Sequence, residues 1–178
     1  EAWEAVADLD FVETSGDAMI TFDDNAPGAS AGYSSSGSFT VSADVNIATG
    51  WIDDYGTRLG SYGFQTYLHE IGHALGLGHQ GDYDGNAVYG TDNRFTNDSW
   101  QVSVMSYFSQ SENTATTASY AETVTPMAAD ILAIQSLYGA AGAGSLSDGD
   151  TVWGLGHTLG SSWLGQLFDA MYGGASAA

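Results

Sequence analysis

The clearest pattern in the chain lies between Phe39 and Ile47, where Phe39, Val41, Ala43, Val45 and Ile47 alternate with Thr40, Ser42, Asp44 and Asn46. A period of two predicts a strand with one buried face. Upstream, AMITF at 18–22 reads as a short strand, and the turn formers at 23–38 read as a loop or weak edge strand. Residues 3–9 read as the last turns of a helix. After the strand the period becomes helical. Over 61–77, Phe64, Tyr67, Leu68, Ile71, Ala74 and Leu75 fall on one side at 100° per residue. Residues 80–103 keep no period and are rich in Asp, Asn and Gly, which predicts a long loop. A second helix is predicted over 125–139, with Thr125 as cap, Pro126 in the first turn and Gly139 at the end. Residues 139–150 read as a linker, and 161–172 as a further helix interrupted by Gly165. No internal repeat is visible. The division expected is a main domain over 1–140, with a linker and C-terminal segment over 141–178.

Composition narrows the chemistry. With 178 residues, 43 % of them hydrophobic, the chain can bury a core. It has no cysteine, which removes disulfides and thiolate metal sites. It has no apolar run long enough for a membrane helix. The first ten residues lack the basic start and apolar run of a signal peptide, so a removed leader or an export signal elsewhere is expected. Charge is the extreme feature: 22 acidic residues face Arg58 and Arg94, with no lysine, for a net charge of −20. Such a surface repels nucleic acid and anionic membranes, so neither is expected as a partner, and a monomer is expected. The acids are spread along the chain, as in a solvated surface adapted to salt or to solubility. Self-repulsion on that surface predicts a melting temperature that climbs from low salt to about 0.15 M NaCl and then flattens as the Debye length shrinks to about 8 Å and below. A flat melting temperature across NaCl and CaCl₂ series would show that the charge does not limit stability.

The decisive stretch is HEIGHALGLGH, His69 to His79, which holds three of the four histidines. His69 and His73 are one helical turn apart and share a face, opposite the Phe64–Ile71 side. The pattern therefore predicts a helix that buries one side and aims both imidazoles into an open cleft. Two nitrogens from one helix supply one edge of a zinc tetrahedron. The third must arrive from a turn. Gly76 can end the helix in a left-handed conformation, Gly78 can loosen the turn, and His79 can return as the third ligand. Glu70 lies about 100° round the helix from His69, placed to act on a water rather than to ligate. A catalytic zinc keeps a position for water and lowers its pKa to about 7, so Glu70 can serve as general base. The competing reading is a helix with surface histidines, which five fixed positions make a poor account. His157 has no partner spacing and reads as a surface or loop residue.

HExxHxxGxxH followed by a methionine turn is the metzincin protease signature. Here that turn is SVMSYF at 103–108, with Met105 as its methionine. Three stretches resemble the serralysins in particular: GDY at 81–83 directly after the motif, MSYF at 105–108, and DILAIQSLYGA at 130–140. The resemblance implies a mixed α+β zincin-like protease domain with a twisted, mostly parallel sheet, an active-site helix and a Met-turn. It implies zinc ligands His69, His73 and His79, Glu70 as general base, Met105 as an apolar floor, and Tyr107 as a switchable extra ligand that stabilises the oxyanion. It also implies a substrate strand lying along the edge near 31–36. Gln80 stands where serralysins usually have proline, and the family's GGxGxD calcium repeats are missing, so a trimmed or minimal relative is expected. Astacins share the tyrosine spacing and matrixins the closing helix, which leaves those subfamilies as alternatives. DYDGN at 82–86 resembles half of a calcium loop and makes Ca²⁺ a second candidate ion, through Asp82, Asp84 and Asn86. The expectation is a secreted, extracellular zinc endopeptidase acting on proteins or peptides. The alternative is a zinc-binding domain without protease activity, such as an adhesin or an inactive homologue.

Overall fold

A computed structural model describes residues 1–37 and 39–172. It turns the alternation at Phe39–Ile47 into a strand, but places it at the centre of a sheet. Strands β1 (Ile20–Asp23), β2 (Ala29–Ser36) and β3 (Phe39–Ile47) are ordered β1-β3-β2. Helices α1 (Thr49–Tyr55), α2 (Tyr62–Ala74), α3 (Ala128–Tyr138) and α4 (Trp163–Tyr172) follow. The mixed α/β class is the observed one. The expectation of a mostly parallel sheet needs correction: β1 pairs parallel with β3, but β2 pairs antiparallel. Two residues separate β2 from β3, and so short a connection can only reverse the chain. Of the two readings of 23–38, loop or weak edge strand, the edge strand is the observed one, and β2 runs for eight residues.

The described residues form two compact units, residues 14–133 and residues 1–13 with 134–172. In the larger unit, Ala43, Val45 and Ile47 of β3 pack with Ala74 of α2, and Trp51, Ile52 and Tyr67 close over them. The buried face begins only at Ala43, since Val41 is half exposed. Asn46, on the opposite face, is buried too; its side-chain amide accepts the Ala26 N–H and donates to the Ala26 carbonyl. A buried amide needs such partners, and these pin the chain between β1 and β2.

Helix α2 is not one-sided. None of its residues is exposed, and Gln65, Thr66 and Glu70 are buried beside Leu68 and Ala74. The polar side chains are buried because tertiary partners satisfy them. Gln65 Oε1 accepts the Thr123 N–H, and Thr66 Oγ1 accepts from Trp51 Nε1 while donating to the Tyr62 carbonyl. Ser61 caps the helix by accepting the Phe64 N–H. Next to the cap, a Cβ added to Gly63 would lie 1.8 Å from the Gly56 carbonyl oxygen. Only glycine lets the start of α2 lie against the end of α1.

The smaller unit is built differently from its expectation. Residues 3–9 form turns rather than a helix, and an Ala7–Ala140 bridge joins them to the segment after α3. Gln135 donates to the Val6 carbonyl, and the Asp8 N–H to that of Gly139. Trp3, Ala5 and Ala7 of this segment are buried. Helix α3 begins at Ala128, later than Thr125, and Gly139 ends it at φ 87°. Helix α4 lies within the predicted range of 161–172.

Candidate metal centre

Helix α2 ends by a local rule that also builds the site. Leu75 is its C-cap, and Gly76 follows at φ 97°. The Gly76 N–H bonds to the His73 carbonyl and the Leu77 N–H to the Gly72 carbonyl, which together make a Schellman motif. That turn brings the Leu77 carbonyl back to His73, whose Nδ1 lies 2.8 Å from it. Gly78 is not needed for the turn: it has no left-handed φ, and an added Cβ would meet nothing. The chain then returns His79 to the helix. His79 Nδ1 lies 2.8 Å from the Tyr83 carbonyl, and His69 Nδ1 lies 2.9 Å from that of Val104.

These contacts fix the chemistry of the other three ring nitrogens. A carbonyl can only accept, so each Nδ1 carries the proton, and a neutral imidazole then has a bare Nε2. The three Nε2 atoms lie 3.0, 2.9 and 3.3 Å apart. Bare lone pairs cannot bond to one another at such distances; they converge on a place for a cation. The edge of a tetrahedron with zinc–nitrogen bonds of 2.0–2.1 Å is about 3.3 Å, close to the observed separations. Among the described residues, this is the one group of three or more His, Asp or Glu whose ligand atoms lie within 4.8 Å of one another. Burial holds the His69 imidazole down to about 3, with His73 adding to the effect, and burial also lowers His73. Both rings are therefore neutral at physiological pH, as ligation requires.

Glu70 lines the same cavity as His69 and Tyr107. It is 7 % exposed, and burial pushes its carboxyl up to about 7. A cation among the histidines would oppose that shift. The Tyr107 ring meets His79 edge-on at 4.4 Å, and its hydroxyl accepts the Gly85 N–H at 3.3 Å. Burial raises the Tyr107 phenol above its ordinary value, so it is a proton donor at neutral pH. Met105 is buried at 2 % exposure, in the turn that presents the Val104 carbonyl to His69.

No protein-family model matches the chain. It is 36 % identical over 169 residues to Metalloprotease AprA of Pseudomonas entomophila (strain L48), covering 87 % of this chain and 34 % of that protein. It is 33 % identical over a 195-residue alignment to Metallopeptidase AprA of Pseudomonas marginalis, covering 96 % of this chain and 38 % of that one. Serralysin B of Dickeya chrysanthemi is 36 % identical over 170 residues, with 87 % of this chain and 34 % of the relative covered. By sequence, the chain is of the serralysin type. It spans only about a third of the length of these curated relatives.

In this serralysin-type chain the cavity beside Glu70 holds about 440 Å³. Trp51, Tyr62 and Trp100 line it together with Gln65, Thr66 and Asp84, and no lysine or arginine does. The aromatic wall was not foreseen from sequence, because its members come from α1, α2 and the loop after the histidines. Asp82, Asp84 and Asn86 line one recess with Asp92 and Arg94, but the Asp82 side chain is 96 % exposed and lies 3.9 Å from Arg94. His157 sits in a loop of the smaller unit, its side chain only 8 % exposed and 3.3 Å from Asp169. It is thus a packed loop histidine rather than a surface one.

Proposed function

We propose that this chain is the catalytic part of a secreted, extracellular zinc endopeptidase acting on proteins or peptides, with residues 1–140 as the catalytic domain. The observation that supports this best is the convergence of three Nε2 atoms within 3.3 Å of one another, beside a cavity lined by His69, Glu70 and Tyr107. His69, His73 and His79 would hold the ion. When bound, zinc would supply Lewis acidity to a water and to the scissile carbonyl. Glu70 takes the proton from the attacking water and delivers it to the leaving amine. The Tyr107 hydroxyl donates to the oxyanion that forms on the substrate and would serve as an exchangeable extra ligand to a bound ion. Met105 forms an apolar floor of the metzincin kind. An extended peptide would align along β2, whose outer edge is unpaired among the described residues.

The deciding experiment is casein digestion by purified chain with and without a chelator. Cleavage and one zinc per chain are expected, both lost with the chelator and both restored by zinc. Zinc uptake with no cleavage would favour a non-proteolytic zinc-binding domain. Tyr107→Phe is expected to lower kcat by about 10- to 1000-fold with little change in KM or zinc content, because oxyanion charge exists only in the transition state. An unchanged kcat would reduce Tyr107 to packing, and a loss of zinc would make it a structural ligand.

A further inference from the structure

Asp130 is 2 % exposed and lies 61 positions along the chain from His69, yet a continuous run of hydrogen bonds joins the two. His69 Nδ1–H donates to the Val104 carbonyl at 2.9 Å. The same peptide group carries the Met105 N–H, which donates to Ser103 Oγ at 2.9 Å. Ser103 Oγ donates in turn to Asp130 Oδ1 at 2.6 Å. Asp130 Oδ2 accepts the Val104 and Met127 N–H groups at 2.8 and 2.7 Å. Burial raises the Asp130 carboxyl, but every group facing it is a donor that favours the charged form, and the Ser103 proton must point at it. All three links thus donate in one direction, from the imidazole toward the charge.

We infer that Asp130 is a positioning residue that strengthens His69 as a metal ligand through Ser103 and the Val104–Met105 peptide. The inference rests on the metal reading of the histidine cluster. The carboxylate draws on the Ser103 proton and makes that oxygen a better acceptor of the Met105 N–H. Amide resonance then shifts electron density onto the Val104 oxygen, which takes the Nδ1 proton more strongly. The lone pair on Nε2 becomes richer, as when a carboxylate contacts a ligating histidine directly. Ser103, Val104 and Met105 are all buried, so water can neither replace a link nor screen the charge. The other two ligands lack this arrangement. His73 and His79 donate to the Leu77 and Tyr83 carbonyls, and among the described hydrogen bonds the N–H groups of those peptides reach no carboxylate.

That asymmetry makes the test. Ser103→Ala removes the serine link but leaves Asp130 its backbone donors; Ser103→Cys keeps the shape and weakens the link. Zinc affinity, measured by chelator competition, is expected to fall about 10- to 100-fold in Ser103→Ala and less in Ser103→Cys. In the NMR spectrum the His69 Nδ1–H resonance is expected to move upfield, while those of His73 and His79 stay. An unmoved His69 proton, or equal movement of all three, would overturn the relay. If the wild-type chain takes up no zinc, the metal reading fails by itself. The His69 proton in the metal-free protein then still decides whether the relay exists.

Discussion

Glu70→Gln is expected to lose about a hundred- to ten-thousand-fold in kcat while keeping one zinc per chain, the range that a positioned general base supplies. The substitution preserves the volume of a side chain that is 7 % exposed and leaves His69, His73 and His79 in place. What it removes is basicity, since a neutral amide cannot take a proton from water. The side chain is buried without a cation of its own: no lysine or arginine lines the cavity. Burial raises the affinity of its carboxyl for a proton, and a zinc ion among the histidines would oppose that rise. Metal analysis beside steady-state kinetics checks the expectation. Substantial turnover by the purified variant would remove Glu70 as the base.

His79→Ala is expected to lose both zinc and activity. Only the His69 and His73 nitrogens remain, 3.0 Å apart on one helix, and two ligands from one edge do not enclose an ion. The variant also isolates the metal's part in stability. Zinc at a hundredfold excess over its dissociation constant stabilises the native state by about 2.7 kcal/mol. In a domain of this size that corresponds to about 5–10 °C in melting temperature. Wild type with zinc is expected to melt higher than His79→Ala by that margin, and the gap is expected to close in chelator. One zinc per chain in His79→Ala would take His79 out of the ligand set.

The site was legible where its rules are local. Spacing by four places His69 and His73 on one face of any helix, and Gly76 is the residue that a Schellman ending requires. The turn therefore returns His79 whatever the rest of the molecule does. The strand at Phe39–Ile47 was legible for the same reason, because alternation is a property of the strand itself. Helix α1 was not, since seven residues containing Gly50 give no lasting period.

What lay outside the sequence pattern depends on partners distant along the chain. Alternation in β3 cannot say which strand lies on either side, so the mixed order β1-β3-β2 came only with the structure. The helical wheel of α2 treats Gln65 and Thr66 as solvent-facing, because it cannot anticipate Thr123 and Trp51 as partners. The motif names three histidines but not the Val104 carbonyl, 35 positions on, that fixes the tautomer of His69, nor the buried carboxylate behind Ser103. The sequence by itself determined the histidine triad and the helix that carries two of its members, because helix geometry acts over four residues. Only the tertiary structure decided which nitrogen of His69 is free and what supports it, because the Val104 carbonyl, 35 positions on, and the Asp130 carboxylate meet it only after folding.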